Sequence, residues 1–470
     1  MNATISLDQP GNVAYTNLDI ISGRVVVRTA RPADISKIEV KLEGESRTRL
    51  LSPQGPNGER PKPMVEYHKI LYRIQTVFPP TDIMESRAHA SAKAAYTLPP
   101  GQHEYPFNFK IPFNNSCSTQ AIAMPMMIGM EIARPATRHV KRTLPPTLSG
   151  FPGEAEIRYF VKVTVNRHSI FKENPRAYVP FNFFPIEPPR PPSTGSEVFA
   201  RQKHLFDSFP DGGASSAPDS PLNGGSPFIS IDARLPEPAV LTCNQDVPLR
   251  LMLKKLNDFS EPIYLQSLQI SLISYTKIRA HDVYRTESNS WILVSRSNMG
   301  VLITQTADGA DAGAESIIDN GLWRSQVLPN TVAPNFTTCN IERTHQLDIR
   351  IGLSCGGATS KASTVVLPLR LDTLVYSGIA PPPEVVAHSD FGANQIPPTP
   401  IETPGSMSPA WPAQAGPSTL PQYDDAPPSY EDAIAQNAPP VTGARPQYAP
   451  PPPVEDRILG EADEKKGWVG

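Results

Sequence analysis

The chain has 470 residues, 55 of them proline, with 39% hydrophobic and 19% charged residues and a formal net charge of −3. Proline at about 12%, against a usual ~5%, combined with that hydrophobic share, excludes both a uniformly packed chain and a wholly disordered one; folded domains with proline-rich segments between or after them are expected. The small net charge gives no electrostatic footprint for nucleic acid, and no apolar run approaches the ~20 residues of a membrane-spanning helix.

The start, Met1 to Asp8, lacks the basic region and continuous apolar core of a secretory signal, so a cytoplasmic protein is expected. In that compartment Cys117, Cys243, Cys339 and Cys355 read as reduced, mostly buried thiols. No pair has C-x-x-C spacing, the nine histidines show no metal-ligand spacing, and neither metal nor cofactor is expected.

Period-2 alternation begins at Ile38, Val40 and Leu42 and returns at Tyr105, Phe107, Phe109 and Ile111, then at Ile157, Tyr159, Val161, Val163 and Val165. It resumes at Leu249, Leu251 and Leu253, at Leu268, Ile270 and Leu272, and at Leu347, Ile349, Ile351 and Leu353. Alternation of this kind turns one face of each strand into a core and leaves the other wet. Turn signals at Gln9-Pro-Gly11, Pro99-Pro-Gly101, Pro152-Gly153 and Gly356-Gly357 separate the runs. Short strands, Pro/Gly turns and few helical periods predict an all-β chain of tandem β-sandwiches.

Composition places the boundaries. A first sandwich is expected over residues 1–190, a flexible interdomain loop over 191–226, a second sandwich over 227–380 and a disordered proline-rich tail over 381–470. The last 90 residues hold 20 prolines and a net charge of −8, which leaves +5 on the body.

The sharpest motif lies in that tail: Pro427, Pro428 and Tyr430 form P-P-x-Y. Adjacent prolines favour polyproline II, which docks in the aromatic groove of a WW domain with little ordering entropy left to lose. Glu431 and Asp432 favour a helical turn directly after it. Weaker copies sit at Leu420, Pro421 and Tyr423 and at Pro446 and Tyr448; each has one proline fewer, and together they suit a partner with tandem WW domains. Ser-Pro and Thr-Pro pairs such as Ser220-Pro221 and Thr403-Pro404 are candidate phosphorylation switches or chance pairs in a proline-rich chain.

A basic stretch, Arg134, Arg138, Lys141 and Arg142, is a candidate contact for an anionic membrane surface or for cargo, although a plain solvated loop is the reading its pattern favours. Gly352-Leu353-Ser354-Cys355-Gly356 fits G-x-S-x-G, but a second strand, not a helix, is expected after it, so no nucleophile elbow and no enzyme are expected.

The run from Gly101 through His103, Tyr105, Pro106, Phe107, Phe109 and Ile111 to Pro112 resembles the G-x-H-x-(F/Y)-P-F-x-F-x-(L/I)-P strand of arrestin amino-terminal domains. Leu144-Pro145-Pro146-Thr147 is similar to the segment before the next strand in fungal members, and Phe336 to Ile341 and Leu347 to Leu353 resemble carboxy-terminal arrestin segments. In this order, with a P-P-x-Y tail, the chain resembles the α-arrestins, or arrestin-related trafficking adaptors, of fungal type. The resemblance implies two arrestin-like sandwiches hinged near 190–226. It also implies an adaptor that recruits a WW-domain HECT-type ubiquitin ligase, through Pro427, Pro428 and Tyr430, to plasma-membrane transporters or receptors. Ubiquitination and endocytosis of that cargo follow, with the adaptor cytoplasmic and recruited peripherally to the plasma membrane or endosomes. The alternative is an arrestin-like scaffold for a receptor or ambient-pH signalling pathway. Two departures stand out: the flanking tyrosine motifs lack a proline each, and the acidic end of the tail matches no family motif.

Overall fold

Residues 1–9, 13–54, 60–80, 96–117, 127–128, 131–132, 138–168, 172–206, 226–259, 261–304, 312–356, 364–382 and 440–441 are described by a computed structural model. Its first part carries β1 (Asn2–Leu7), β2 (Ile20–Thr29), β3 (Ala33–Leu51), β4 (Pro63–Phe78), β5 (Tyr96–Leu98), β6 (Gly101–Lys110), β7 (Met127–Ile128), β8 (Glu131–Ile132), β9 (Leu148–Phe151), β10 (Ala155–Arg167) and β11 (Arg176–Phe181). Then come β12 (Glu197–Leu205), β13 (Phe228–Pro236), β14 (Val240–Thr242), β15 (Arg250–Lys255), β16 (Ile263–Ala280), β17 (Val283–Arg296), β18 (Val301–Leu302), β19 (Glu315–Ile317), β20 (Phe336–Thr337), β21 (Ile341–Cys355) and β22 (Thr364–Tyr376).

Each half is a sandwich because its alternating residues have two sheets to fill. In the first, a sheet ordered β1-β2-β6 faces one ordered β11-β10-β3-β4, in which β5 also pairs with β3 and β9 with β10. Val161 pairs with Leu42 and Val163 with Val40, and these residues meet Val25, Val27 and Phe107 of the facing sheet in one buried cluster. In the second, a sheet ordered β12-β13-β15-β19 faces one ordered β14-β22-β21-β16-β17. Ile229, Ile231, Leu251 and Leu253 of the former pack with Ile270, Ile349, Ile351 and Leu369 of the latter. β-Branched and leucine side chains on one face of each strand suit this layer, and their burial drives it.

The expected loop over 191–226 needs correction. Glu197–Leu205 is a strand, paired antiparallel with β13 from Glu197↔Pro236 to Leu205↔Phe228. It is an edge strand and mostly wet, so its run Arg201-Gln202-Lys203-His204 carries little alternation and reads as loop in the sequence. Ion pairs fix it instead: Arg201 Nε lies 2.7 Å from Asp232 Oδ1, and Glu197 Oε2 pairs with Arg234 at 3.5 Å and Arg250 at 3.3 Å. The connection before it is also anchored, with Phe184, Ile186 and Glu187 buried, the Glu187 amide donating to Ile379 O at 2.9 Å, and Arg190 donating to Thr242 Oγ1 at 3.0 Å.

The two sandwiches share side chains. Leu18, Phe113, Phe184 and Ile186 from the first part belong to the second core, and Ile278, Ala280 and Ile341 belong to the first. Beyond β22, Val441 packs against the second core.

Candidate functional site at the domain interface

The interface is built where the ends of β16 and β21 reach β3 and β4. Thr48 Oγ1 donates to Arg279 O at 2.5 Å, Ser46 Oγ donates to Asn340 Oδ1 at 2.7 Å, and Asn340 Nδ2 donates back to Thr48 Oγ1 at 3.2 Å. Glu66 is the hub. Its Oε1 accepts from Arg279 Nη2 at 2.6 Å and contacts His68 Nε2 at 2.8 Å, and its Oε2 accepts from the His281 amide at 2.6 Å. All of these groups are buried, so each polar atom removed from water needs its partner there. Burial works to raise the Glu66 pKa, but the hydrogen bonds from His68 and the His281 amide, with the charges of His68 and Arg279, hold it below the ordinary carboxylate value.

Beside this hub four nitrogen and sulfur side chains converge. His68 sits on β4 opposite Ser46, with no exposed surface. Cys117 follows β6 on a segment held by the Ser116 amide, which donates to Ile70 O at 2.9 Å. His139 lies on a strip that runs alongside that segment: the Asn115 amide donates to Arg142 O at 2.8 Å and the Leu144 amide to Phe113 O at 3.2 Å. Cys339 comes from the second sandwich, on a tight turn in which Thr338 Oγ1 accepts from the Ile341 amide at 2.9 Å.

The Cys117 Sγ lies 3.3 Å from His68 Nδ1, 3.3 Å from His139 Nδ1 and 3.5 Å from Cys339 Sγ. One donor atom from each of the four residues fits within 4.8 Å of every other. The Val140 amide points at Cys339 Sγ from 3.2 Å. The hydrogen bond with Cys117 pulls the Cys339 thiol down to about 4; burial opposes this, and His68 and the Val140 amide reinforce it. The same Cys339 contact, followed by burial, pushes Cys117 up. His68 is raised: burial disfavours its charge, but hydrogen bonds with Cys339 and Glu66 outweigh that.

Sequence reasoning finds all four cysteines as free thiols but not this convergence. Cys117 and His139 are 22 residues apart, His68 and Cys117 are 49 apart, and Cys117 and Cys339 are 222 apart, spacings that only the fold makes local. Of the basic stretch, Arg138, Lys141 and Arg142 are exposed on the His139 strip, next to the cluster, and Arg134 lies outside the described residues. Pro427, Pro428 and Tyr430, Leu420, Pro421 and Tyr423, and Pro446 and Tyr448 also lie outside them. Ser354 is inside β21, buried, paired with Thr364 of β22 and accepting from Gln266 Nε2 at 2.8 Å, a setting unlike the exposed turn a nucleophile elbow requires. Among the described residues no helix is long and apolar enough to cross a membrane.

Comparison with known proteins agrees with the architecture. Residues 3–180 match the family described as arrestin (or S-antigen), N-terminal domain. A protein named arrestin-related trafficking adapter 10, from Lachancea thermotolerans, is 26% identical over 121 residues, which is 24% of this chain and 28% of that protein. The aligned stretch thus spans little more than a quarter of that relative's length.

Proposed function

We propose, from the match of residues 3–180 to the arrestin N-terminal domain and the similarity to an arrestin-related trafficking adapter, that the chain is an α-arrestin, a non-enzymatic adaptor that brings a WW-domain HECT-type ubiquitin ligase to membrane transporters or receptors, promoting their ubiquitination and endocytosis. The observation that carries this reading is the order of parts: a double arrestin-like sandwich, then Pro427-Pro428-Ser429-Tyr430 beyond its last strand. The body offers a rigid surface for cargo, and the motif offers a ligase-binding segment separate from it. Pro382, buried at the end of the body, and Val441, packed on the second core, flank the motif on either side.

In this reading Pro427 and Pro428 fill the aromatic groove of the WW domain and Tyr430 orients the peptide. Leu420, Pro421 and Tyr423, then Pro446 and Tyr448, are secondary contacts that raise effective concentration on a tandem partner. Arg138, Lys141 and Arg142, with Arg134, would face the anionic cytoplasmic leaflet or an acidic cargo tail, each basic residue contributing about 1 kcal/mol near such a surface. The protein then works in the cytoplasm and is recruited peripherally to the plasma membrane or endosomes. Titration calorimetry of the full chain against a WW domain from a HECT ligase tests the motif: Tyr430→Ala is expected to abolish the heat of binding, and an unchanged isotherm would refute the assignment.

A further inference from the structure

The His68, Cys117, His139 and Cys339 cluster is used by nothing in the adaptor reading. Its donors are two imidazole nitrogens and two sulfurs, a set suited to zinc in a closed, four-coordinate structural site. Metal–sulfur bonds of ~2.3 Å and metal–nitrogen bonds of ~2.0–2.1 Å, placed tetrahedrally, require neighbouring donors about 3.3–3.8 Å apart. The three contacts around Cys117, at 3.3, 3.3 and 3.5 Å, already have that spacing.

The surroundings supply a second, independent feature. His68 turns Nδ1 to the cluster and Nε2 to Glu66 Oε1, 2.8 Å away, the carboxylate–histidine arrangement that fixes a ligating imidazole. Glu66 is itself held by Arg279 and the His281 amide of the second sandwich. The Val140 amide, 3.2 Å from Cys339 Sγ, is a donor suited to a bound thiolate. A disulfide between Cys117 and Cys339 would use the two sulfurs but would give no role to two imidazole nitrogens turned toward Cys117.

We propose that these four residues form a structural zinc site that joins the two sandwiches. Three ligands come from the first sandwich and Cys339 from the second, so the ion clamps one against the other. Two thiolates and two neutral imidazoles balance the charge of Zn²⁺, and the thiol protons pass to solvent on binding. His139 also shares its strip with the exposed Arg138, Lys141 and Arg142, so the same ion would hold that basic strip. Metal loading would thereby set the angle between the sandwiches and anchor the basic strip beside it.

The test is metal content by plasma mass spectrometry on untagged, full-length protein purified under reducing conditions, with cobalt(II) substitution as the second readout. One zinc per chain is expected, together with thiolate-to-cobalt charge-transfer bands and the intense visible bands of a tetrahedral site. Cys117→Ala and Cys339→Ala should each lose the metal, and Cys355→Ala should keep it. Folded wild type that binds neither zinc nor cobalt, or that contains a Cys117–Cys339 disulfide in place of metal, would overturn the proposal. So would zinc retained in a Cys117→Ala/Cys339→Ala double variant. Because the first of these outcomes is read on wild type, the test survives a variant that fails to fold.

Discussion

At the scale of single residues, two positions show what burial demands. Gly44 lies at a register shift in β3, and a Cβ there would stand 2.7 Å from the Tyr159 ring and 2.8 Å from Leu71 Cβ. Tyr159 is fully packed and its hydroxyl donates to Pro145 O at 2.7 Å, so it has nowhere to go. Gly44→Ala should cost about 1–3 kcal/mol through overpacking, read as a lower urea midpoint. His345 gives a pH signature. Burial, then the nearby Arg343 charge, push its pKa from 6.5 down to about 3, and its Nδ1 lies 2.7 Å from Asn335 Oδ1. Between those two values the unfolded chain binds a proton that the folded chain does not, so stability falls as pH drops through this window. His345→Gln should flatten the fall, measured by urea unfolding at a series of pH values. Neither feature is legible in the sequence. Gly44 stands in a strand with no turn signal beside it, and His345 alternates like any polar strand residue. Only the cross-strand partners reveal what each must fit.

At the scale of elements, alternation predicts the central strands well. Val40 and Leu42 of β3, Val161 and Val163 of β10, and Ile349 and Ile351 of β21 are all fully buried. Each pairs on both sides, so packing demands the period-2 pattern the sequence displays. β12 escapes detection for the opposite reason. An edge strand has a wet face and a wet side, and charges there discourage pairing with other chains. Its place depends on Asp232, which receives Arg201 Nε at 2.7 Å, Arg201 Nη2 at 2.8 Å and Arg234 Nη2 at 2.9 Å. The Arg201 hydrogen bond, opposed by burial and reinforced by Arg234, lowers the Asp232 pKa. That stability is present above the unfolded carboxylate pKa and is lost as pH falls through the folded one. Asp232→Ala should speed amide exchange along β12 and β13 and leave β21 and β22 protected, as read by hydrogen-exchange mass spectrometry.

At the scale of the molecule, the two sandwiches are joined by buried polar groups as well as by the apolar side chains they share. Arg279 and Glu66 sit at the centre of that joint, 2.6 Å apart. Removing Arg279 takes from the buried Glu66 carboxylate a direct cationic partner and leaves it on His68 and the His281 amide, with a cost of up to about 3–5 kcal/mol. Arg279→Ala should therefore separate the unfolding of the two sandwiches into two calorimetric transitions. The double-sandwich plan is legible because each half repeats the same alternation and turn chemistry. The joint is not, because its residues come from segments as distant as Ser46 and Asn340 and none of them carries a local motif. The P-P-x-Y sequence is the reverse case: Pro427, Pro428 and Tyr430 form a short local signal that needs no fold to be recognised. The proposed adaptor role joins these two kinds of information, assigning cargo to the body and a ligase to the motif. Quantitative affinity purification of the full chain, wild type against a Pro427→Ala/Tyr430→Ala double variant, tests that division directly. The account predicts that a HECT-type ligase is lost from the variant and that membrane transporters or receptors are retained; a ligase recovered equally with both proteins would contradict it.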